Sequence, residues 1–452
     1  MTTRHRQLAS MLRRFGIRTV AALLCLAAAV RAEQVGCYIS VGDNDWVWRS
    51  PPVNSEASIA AFFDTLQQVF NVNRIYWRGF QSEVLVGNSV LRPENFQSHA
   101  FWQWERFLAE KVGTSRKAIA AAHQRDMDVW GMTALFDHGA HARIDTASMG
   151  TPAPFEDVLR VQHPEYAPID RHGIRRQAGP IEFAYPAARS ALVERYVNHA
   201  VSGGYDGLMF YTYVEHFSLR YEDEYGFSAP IVAEYKRRYG RDIRTETFDK
   251  HAWYRLRGEY VTQFLRELHA AFKQNGKKLG VAIDPQNPNL PAPWLCAPDV
   301  RPTGRFHLDW EGWVREGIVD EIMVYCNGAL EKGLNTVLAV AEDTDCTVST
   351  IHSAPWPARH QHLGQAGVRR VVVGSYDYFE WGYKEEQPVA ALEGDDFLAK
   401  LRVLRQIEEK KTNVSTKRIL ATANDANVFV RRQALRTLAS LAPPEAKTAL
   451  ET

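Results

Sequence analysis

One acidic residue stands directly after a long apolar run. The run DGLMFYTYV (206–214) leads into Glu215. Burial of a carboxyl group beside Tyr211 and Tyr213 would raise its pKa toward the range of a general acid, because the charged form loses its hydration. We therefore predict that Glu215 is a catalytic acid and that the two tyrosines contact substrate. The alternative is an ion pair between Glu215 and Arg220 in the loop that follows.

Further carboxylates follow other apolar runs of the chain. They are Asp137, Asp284, Asp377 and Glu380. Hydrolysis of a glycosidic bond uses two carboxyl groups, one that protonates the leaving oxygen and one that attacks the sugar or activates water. We predict Asp284 or Asp137 as the second catalytic group, and Asp377 and Glu380 as substrate contacts. A ring of carboxylates could also hold a divalent metal, but the placement of His and Asp does not favour one, and we predict no metal.

Aromatic side chains are dense around the same positions, in a chain with 12 Trp and 18 Tyr. A pyranose ring has apolar faces and polar edges, so flat rings beside carboxylates are typical of sugar sites. We predict four further substrate contacts, Trp77, His138, Trp294 and Tyr376. Taken singly, most such residues pack in cores or loops, and only the group indicates a carbohydrate partner.

Eight apolar or aromatic runs alternate with helical patterns between residues 34 and about 380. The expected strands are 35–41, 74–80, 128–136, 206–214, 278–284, 320–326, 346–352 and 369–376. Strands separated by helices pair in parallel, and eight such units predict an α/β fold, a (β/α)8 TIM barrel. An open doubly wound sheet is the alternative, but no G-x-G-x-x-G follows the first strand. In the barrel, the terminal carboxylates would meet at one mouth.

The chain divides into three predicted parts. Residues 1–32 combine a basic segment, the apolar stretch TVAALLCLAAAV (19–30) and Val-Arg-Ala, and we read them as a signal peptide. Residues 33–385 form the barrel. Residues 386–452 add a small appendage of helices that resembles one HEAT-like repeat, and such a repeat needs a neighbour, either the barrel or a protein partner.

Export sets the expected location and charge. We predict a periplasmic or extracellular protein that has no stable membrane span once the signal peptide is cleaved. The alternative is that residues 1–32 remain as an uncleaved N-terminal anchor. Residues 1–32 contain six of the 54 basic residues and no acidic one, so cleavage leaves 48 basic and 53 acidic residues, a net charge of −5. This balance gives no reason to expect a nucleic-acid partner.

Other chemistries find little support in the sequence. Four cysteines remain after cleavage, Cys37, Cys296, Cys326 and Cys346, and their spacing matches no zinc motif. They could form disulfides or remain buried thiols. We see no G-x-S-x-G elbow, no P-loop and no Cys-His pair, and we predict no cofactor.

Several segments together resemble a known family, the family-10-like glycosyl hydrolases of bacteria. The segments are HPEY (163–166), GPIEFAYPAARSALVERYV (179–197), GGYDGLMFYTYVEHFSLRYEDEYGFSAPIVAEYKRRYGRDI (203–243), WYRLRGEYVTQFLRELHAAF (253–272) and FHLDWEGWVREGIVDEIMVYC (306–326). The resemblance covers about residues 34–385 and is specific between 179 and 326. It implies a TIM barrel, an exported protein and a carbohydrate substrate.

One departure limits what the resemblance implies about mechanism. Related glycosidases place the acid/base after strand four and the nucleophile after strand seven. Glu215 suits the first position, but the seventh run ends in STIHS (349–353), which has no carboxylate. The second group would then be Asp284, Asp137 or Glu380, or else the protein is a non-catalytic carbohydrate-binding or assembly barrel.

Overall fold

Eight parallel strands close into a barrel in a computed structural model of the protein. The structure describes residues 34–39, 55–70, 72–80, 84, 115–138, 157–177, 179–212, 221, 223–285, 304–325, 331–351, 367–374, 388–394, 397–410, 414–425 and 428–441. Each strand pairs with the next in chain order, and the last pairs with the first. The strands are β1 (Gln34–Ile39), β2 (Val72–Trp77), β3 (Asp128–Ala134), β4 (Gly207–Tyr211), β5 (Lys278–Ile283), β6 (Glu321–Tyr325), β7 (Thr347–Ile351) and β8 (Arg370–Gly374). All eight predicted strands are confirmed.

Helices occupy the connections between the strands. Those of the barrel region are α1 (Glu56–Phe70), α2 (Ser115–His123), α3 (Val158–Gln162), α4 (Pro186–Gly203), α5 (Ala229–Tyr239), α6 (Lys250–Gln274), α7 (Trp310–Arg315) and α8 (Glu331–Ala341). The longest, α6, begins after Asp249, whose carboxylate accepts from the N–H groups of His251 and Ala252, as an N-cap does. The α/β barrel predicted from the alternation is therefore the observed fold.

The barrel strands divide their side chains between two cores, because successive residues of a strand point to opposite faces. One core fills the barrel and contains Tyr38, Tyr76, Trp130, Met132, Ala134, Met209, Tyr211, Ala282, Met323, Ile351 and Val372. The larger core lies between the strands and the surrounding helices and includes Val281 of β5 together with Phe264 and Leu268 of α6. Apolar residues on both faces explain why the strand sequences read as continuous apolar runs.

A buried carboxylate closes the end of the barrel at which the strands begin. Glu321, the first residue of β6, accepts from Arg74 Nη1 at 2.6 Å and Arg370 Nη1 at 3.0 Å. Its other oxygen accepts from the hydroxyl groups of Tyr76 and Ser349. Two guanidinium groups and two hydroxyl groups thus satisfy one carboxylate that is fully buried, as buried charges require.

The C-terminal helices have an apolar cluster of their own. They are α9 (Phe397–Lys410), α10 (Thr416–Thr422) and α11 (Val428–Leu441), preceded by the 3-10 turn Val389–Glu393. The cluster is formed by Leu392, Leu401, Val403, Leu404, Ile407, Ile419, Val430 and Ala434. The predicted helices are therefore present; the likeness to a HEAT repeat and the boundary at residue 385 remain predictions.

Two of the four cysteines lie in the described residues. Cys37 and Cys346 are both buried, and burial raises the pKa of the Cys346 thiol to about 12. Cys296 and Cys326 fall outside the described residues. Among the helices that the structure describes, none is long and apolar enough to cross a membrane.

Candidate active site

The mouth at the carboxyl ends of the strands contains a buried cation. Arg78 follows β2, is 6% exposed, and donates from Nη1 to the hydroxyl of Tyr38 at 3.3 Å. Its guanidinium carbon lies 5.9 Å from the centre of the Tyr211 ring. The backbone N–H of Arg78 donates to the carbonyl of Ile39, which carries the β1–β2 pairing beyond the strands. This pairing fixes a guanidinium group between two tyrosines at the active end of the barrel.

Tyr211, a predicted substrate contact, is the last residue of β4 and points into the barrel. It is fully buried, beneath the mouth rather than on its rim. The next residue, Thr212, is also fully buried, and its hydroxyl donates to the carbonyl of Ala282 on β5 at 3.3 Å. These contacts join the ends of β4 and β5, two residues before Asp284.

Asp284, a predicted catalytic residue, directly follows β5 and is partly exposed. It stands two residues after Ala282, whose side chain belongs to the core inside the barrel. Because side chains alternate along an extended chain, the carboxylate of Asp284 continues the inward-facing positions toward the mouth. By this alternation the side chain of Asp284 is expected on the barrel side of β5, and it is partly accessible to solvent.

Asp137 occupies a different environment from that of Asp284, although both follow strands. It is 2% exposed. Its charge acts on Tyr196 of α4: burial raises the pKa of that hydroxyl, Arg195 lowers it, and Asp157 and Asp137 raise it further. The carboxylate of Asp137 is therefore closed to solvent and lies within electrostatic range of Tyr196, as Asp157 and Arg195 do.

His138 belongs to a buried cluster with Asp157 and Arg195 and is 1% exposed. Its Nδ1 atom lies 3.4 Å from Oδ2 of Asp157, close enough for electrostatic contact but without the alignment of a hydrogen bond. Its Nε2 atom is buried and has no hydrogen-bond partner. Asp157 in turn is held by both terminal nitrogens of Arg195, so the imidazole packs against a carboxylate that is fixed in place.

Asp157 also organises the backbone around this cluster. It caps α3 by accepting from Leu159 N at 2.9 Å, and its own N–H donates to the carbonyl of His138. Burial alone would raise the pKa of Asp157, but His138 and Arg195 lower it well below its usual value. Asp157 is therefore a structural anion that joins the end of β3 to α3 and α4.

Trp77, predicted to contact substrate, lies in the layer between barrel and helices. It is the last residue of β2, is 1% exposed, and belongs to the outer core, whereas its neighbour Tyr76 fills the barrel. Because adjacent side chains of β2 point to opposite faces of the sheet, the ring of Tyr76 lies inside the barrel and the ring of Trp77 lies on the helix side. Its position in the outer core corrects the expectation that it lines the mouth.

Six predicted site residues lie outside the described residues. They are Glu215, Tyr213, Trp294, Tyr376, Asp377 and Glu380. Their roles remain predictions. Within the described part of the chain, no group of three or more His, Cys, Asp or Glu side chains could hold a metal ion.

The sequence reasoning passed over Arg78 and the pair of Asp157 and Arg195. Arg78 had a signal: it interrupts an apolar strand pattern one residue after Trp77, at the end of a barrel strand. Charged residues at that position of a barrel are candidates for function. Asp157 and Arg195 had no such signal, because they are 38 positions apart and meet only through the packing of α4.

Comparison with protein families supports the resemblance seen in the sequence. Residues 116–336 match the model of the family described as glycosyl hydrolase-like 10. The matched part begins in α2 and ends in α8, and it includes β3 to β6 with their loops. No curated protein matches the sequence.

Solved structures with a similar fold include several glycosidases. A β-galactosidase from Marinomonas ef1 shares 10% identity at a TM-score of 0.44, over 89% of this chain and 61% of that one. An exo-β-N-acetylglucosaminidase from Vibrio harveyi shares 11% identity at a TM-score of 0.37, over 82% and 49%. The chain thus spans about half to three fifths of the length of the first structures that it matches. Identity this low concerns the barrel fold alone.

Proposed function

We propose, from the match of residues 116–336 to a glycosyl hydrolase-like family, that this protein is an exported glycoside hydrolase that acts on an oligo- or polysaccharide. One observation carries the catalytic part of the proposal. Asp284 directly follows β5 and is partly exposed, and it stands two residues after Ala282, which pairs with Tyr211 and belongs with it to the core inside the barrel. A carboxylate in that position can reach a sugar bound over the barrel.

Glu215 serves in this proposal as the general acid/base, four residues after Tyr211. Asp284 is the second carboxylate, as nucleophile or as the base that activates water. The separation of the two carboxyl groups decides the stereochemistry, roughly 5 Å for retention and 6.5–9.5 Å for inversion. Asp137 is the weaker candidate because it is only 2% exposed.

Arg78 has two effects that suit this chemistry. A buried guanidinium group favours the ionised form of a carboxyl group nearby, since opposite charges stabilise each other in a site of low polarity. It also offers several N–H donors to sugar hydroxyls. The proposed site therefore contains a cation beneath the mouth and carboxylates around it.

Assays on a panel of oligosaccharides test these roles. The wild-type protein is compared with the variants Glu215→Gln and Asp284→Asn, and with Glu259→Gln as a control on the exposed face of α6. Loss of an acid or base costs about 10²–10⁴-fold in turnover, so both site variants should fall by that factor and the control should not. Full turnover by Glu215→Gln would reject its role. Loss in Glu215→Gln alone would move the second role to Asp137 or Glu380.

A non-catalytic carbohydrate-binding barrel is the second candidate. Strand β7, with the sequence TVSTI, ends at Ile351 without a carboxylate, where related glycosidases carry one. Binding on a glycan array together with no hydrolysis of the bound glycan would favour this function over the first.

Export is proposed from the sequence of residues 1–32. Expression of the full chain with mass measurement of the product is the direct test. A mature protein that begins at residue 33 in the periplasm or medium supports the proposal, and an uncleaved product contradicts it.

A further inference from the structure

A cavity beside the mouth lies among the loops at the active end of the barrel. It has a volume of about 240 Å³, and Asp170, Arg171, Glu224, Phe248 and Trp253 are among its lining residues. We propose that this cavity is an accessory site for one neutral sugar residue, which holds a saccharide chain beside the mouth. The proposal rests on the glycoside hydrolase function, since it names a further contact of the same substrate.

The cavity is located by the topology. Its walls come from the segment after β3 and the segment after β4, which are joined by a bridge between Asp170 and Tyr225. The backbone N–H groups of Gly226 and Phe227 both donate to the carbonyl of Ile169. Loops that follow barrel strands all lie at the end that bears the mouth, so the cavity and the mouth share one face of the molecule.

Glu224 supplies the observation that points to a ligand. Its side chain is 6% exposed, and Oε1 lies 2.8 Å from Nη2 of Arg175. The second oxygen, Oε2, is buried and has no hydrogen-bond partner. A buried carboxylate oxygen without a donor is costly, and here it belongs to a side chain that lines a cavity. A ligand that donates a hydrogen bond to Oε2 would remove that cost.

The other carboxylates of the cavity are already satisfied. Asp170 accepts from Ile174 N at 2.7 Å and contacts Nε of Arg175. Asp223 is paired with Lys250. A metal ion would need several free carboxylate oxygens, and among the described residues that line the cavity Oε2 of Glu224 is the one buried carboxylate oxygen without a partner. A cation is also opposed by the neighbouring arginine and lysine side chains.

An anionic ligand fits no better, because three carboxylates line the same cavity. Arg171 is nevertheless available as a donor. It is fixed by hydrogen bonds from Nε to the carbonyl of Arg244 and from Nη2 to that of Glu246, and it lies 5.5 Å over the ring of Phe248. It forms no ion pair with a carboxylate in the described residues.

A charged acceptor and a charged donor therefore stand in one small cavity of nearly balanced charge. Neighbouring sugar hydroxyls both donate and accept, and hydrogen bonds to charged groups are the strong ones. The floor is apolar and rigid, since Trp253 stacks on Phe227 at 4.8 Å and meets Phe248 edge-on at 5.7 Å. A volume below the roughly 300–1,000 Å³ of ligand pockets in general suits one sugar residue rather than a longer segment.

Binding rather than turnover is the readout. The probes are maltotriose, cellotriose and triacetylchitotriose at millimolar concentration, titrated by calorimetry into protein that carries Glu215→Gln to prevent cleavage. Glu224→Gln is added to remove the charge at Oε2. His172→Trp is added to fill the cavity from its rim, because His172 lines the cavity and is exposed. Glu259→Gln, outside the cavity, is the matched control.

We expect at least one trisaccharide to bind, and both cavity variants to weaken its binding about tenfold or more, as loss of a hydrogen bond to a charged group predicts. The control should bind as before. Unchanged binding in His172→Trp and Glu224→Gln would place the saccharide elsewhere and reject the accessory site. Should Glu224→Gln fail to fold, His172→Trp decides alone.

Two further results would also reject the site. One is that no trisaccharide binds; the other is that inorganic phosphate binds in the cavity and is displaced by His172→Trp. Hydrolysis by the wild-type protein is measured separately. If the wild-type protein hydrolyses a saccharide but Glu224→Gln does not weaken binding, the accessory site is rejected and the proposed function stands. If Glu224→Gln weakens binding but the wild-type protein hydrolyses nothing, the binding site stands and the proposed enzymatic function is rejected.

Discussion

Arg74 and Glu321 connect opposite sides of the barrel. Arg74 on β2 donates from Nη1 to Oε2 of Glu321 on β6 at 2.6 Å, across the closed end of the cylinder. Burial opposes the charge of Arg74, but Tyr76 and Glu321 together raise its pKa above the usual value. The ion pair thus links two strands that are not neighbours in the sheet.

Glu321→Gln should destabilise the protein strongly. The change leaves the buried guanidinium group of Arg370 without a carboxylate and Arg74 with only the half-exposed Asp128 as its partner, and breaking a buried ion pair costs about 3–5 kcal/mol. Urea unfolding measures the difference. Glu311→Gln, which removes an exposed i,i+4 partner of Arg315, should change stability by less than about 1 kcal/mol. Similar values for the two variants would contradict the prediction.

Asp157→Asn should flatten the dependence of stability on pH in acid. The folded pKa of Asp157 is lowered, so its ionised form contributes stability above the unfolded value of about 4. That contribution is lost as pH falls from about 4 through the folded pKa. Asparagine still caps a helix, so α3 should persist. Unfolding free energies of both proteins, measured from neutral pH to acid, should converge at low pH. Parallel curves would count against the prediction.

Gly258→Ala should destabilise the packing of α6. A Cβ atom at Gly258 would lie 1.8 Å from the carbonyl oxygen of His307, whose N–H donates to the carbonyl of Tyr254. The backbone of residues 304–310 therefore rests directly on the helix. Overpacking costs about 1–3 kcal/mol, more than the gain of up to about 1 kcal/mol from replacing glycine within a helix.

Thermal unfolding compares this variant with Gly394→Ala. At Gly394 an added Cβ would meet its nearest neighbour at 3.6 Å, an ordinary contact. A lower Tm for Gly258→Ala with little change for Gly394→Ala is the expected result. Equal Tm values would mean that the loop moves aside at little cost.

Arg78→Lys should reduce hydrolysis without unfolding the protein. Lysine keeps the positive charge but lacks the planar fork that reaches Tyr38 and lies near Tyr211. We expect kcat/KM to fall about tenfold or more on any oligosaccharide that the wild-type protein cleaves. Circular dichroism and urea unfolding report whether the fold is kept. Wild-type kcat/KM in a folded variant would show that Arg78 only packs the mouth.

The residues of the candidate site were predicted unevenly, and the reason lies at the strand ends. Tyr211 follows the alternation of β4 into the barrel, where it is buried, and Asp284 directly follows β5 and is partly exposed; their roles remain predictions. Trp77 obeys the same alternation but occupies the other face of its strand. Asp137 lies three residues beyond the end of β3, where strand alternation no longer controls direction, and it is buried.

The sequence by itself determined the order of eight strands and their helices, and hence the barrel. Parallel strands that bury both faces must be apolar throughout, and helices that cover them must carry one apolar face. Only the tertiary structure decided which polar groups meet: Glu321 with Arg74 and Arg370, or Glu224 with its unpaired oxygen. Such contacts join residues far apart in the chain, and their partners are selected by packing, which leaves no local pattern in the sequence.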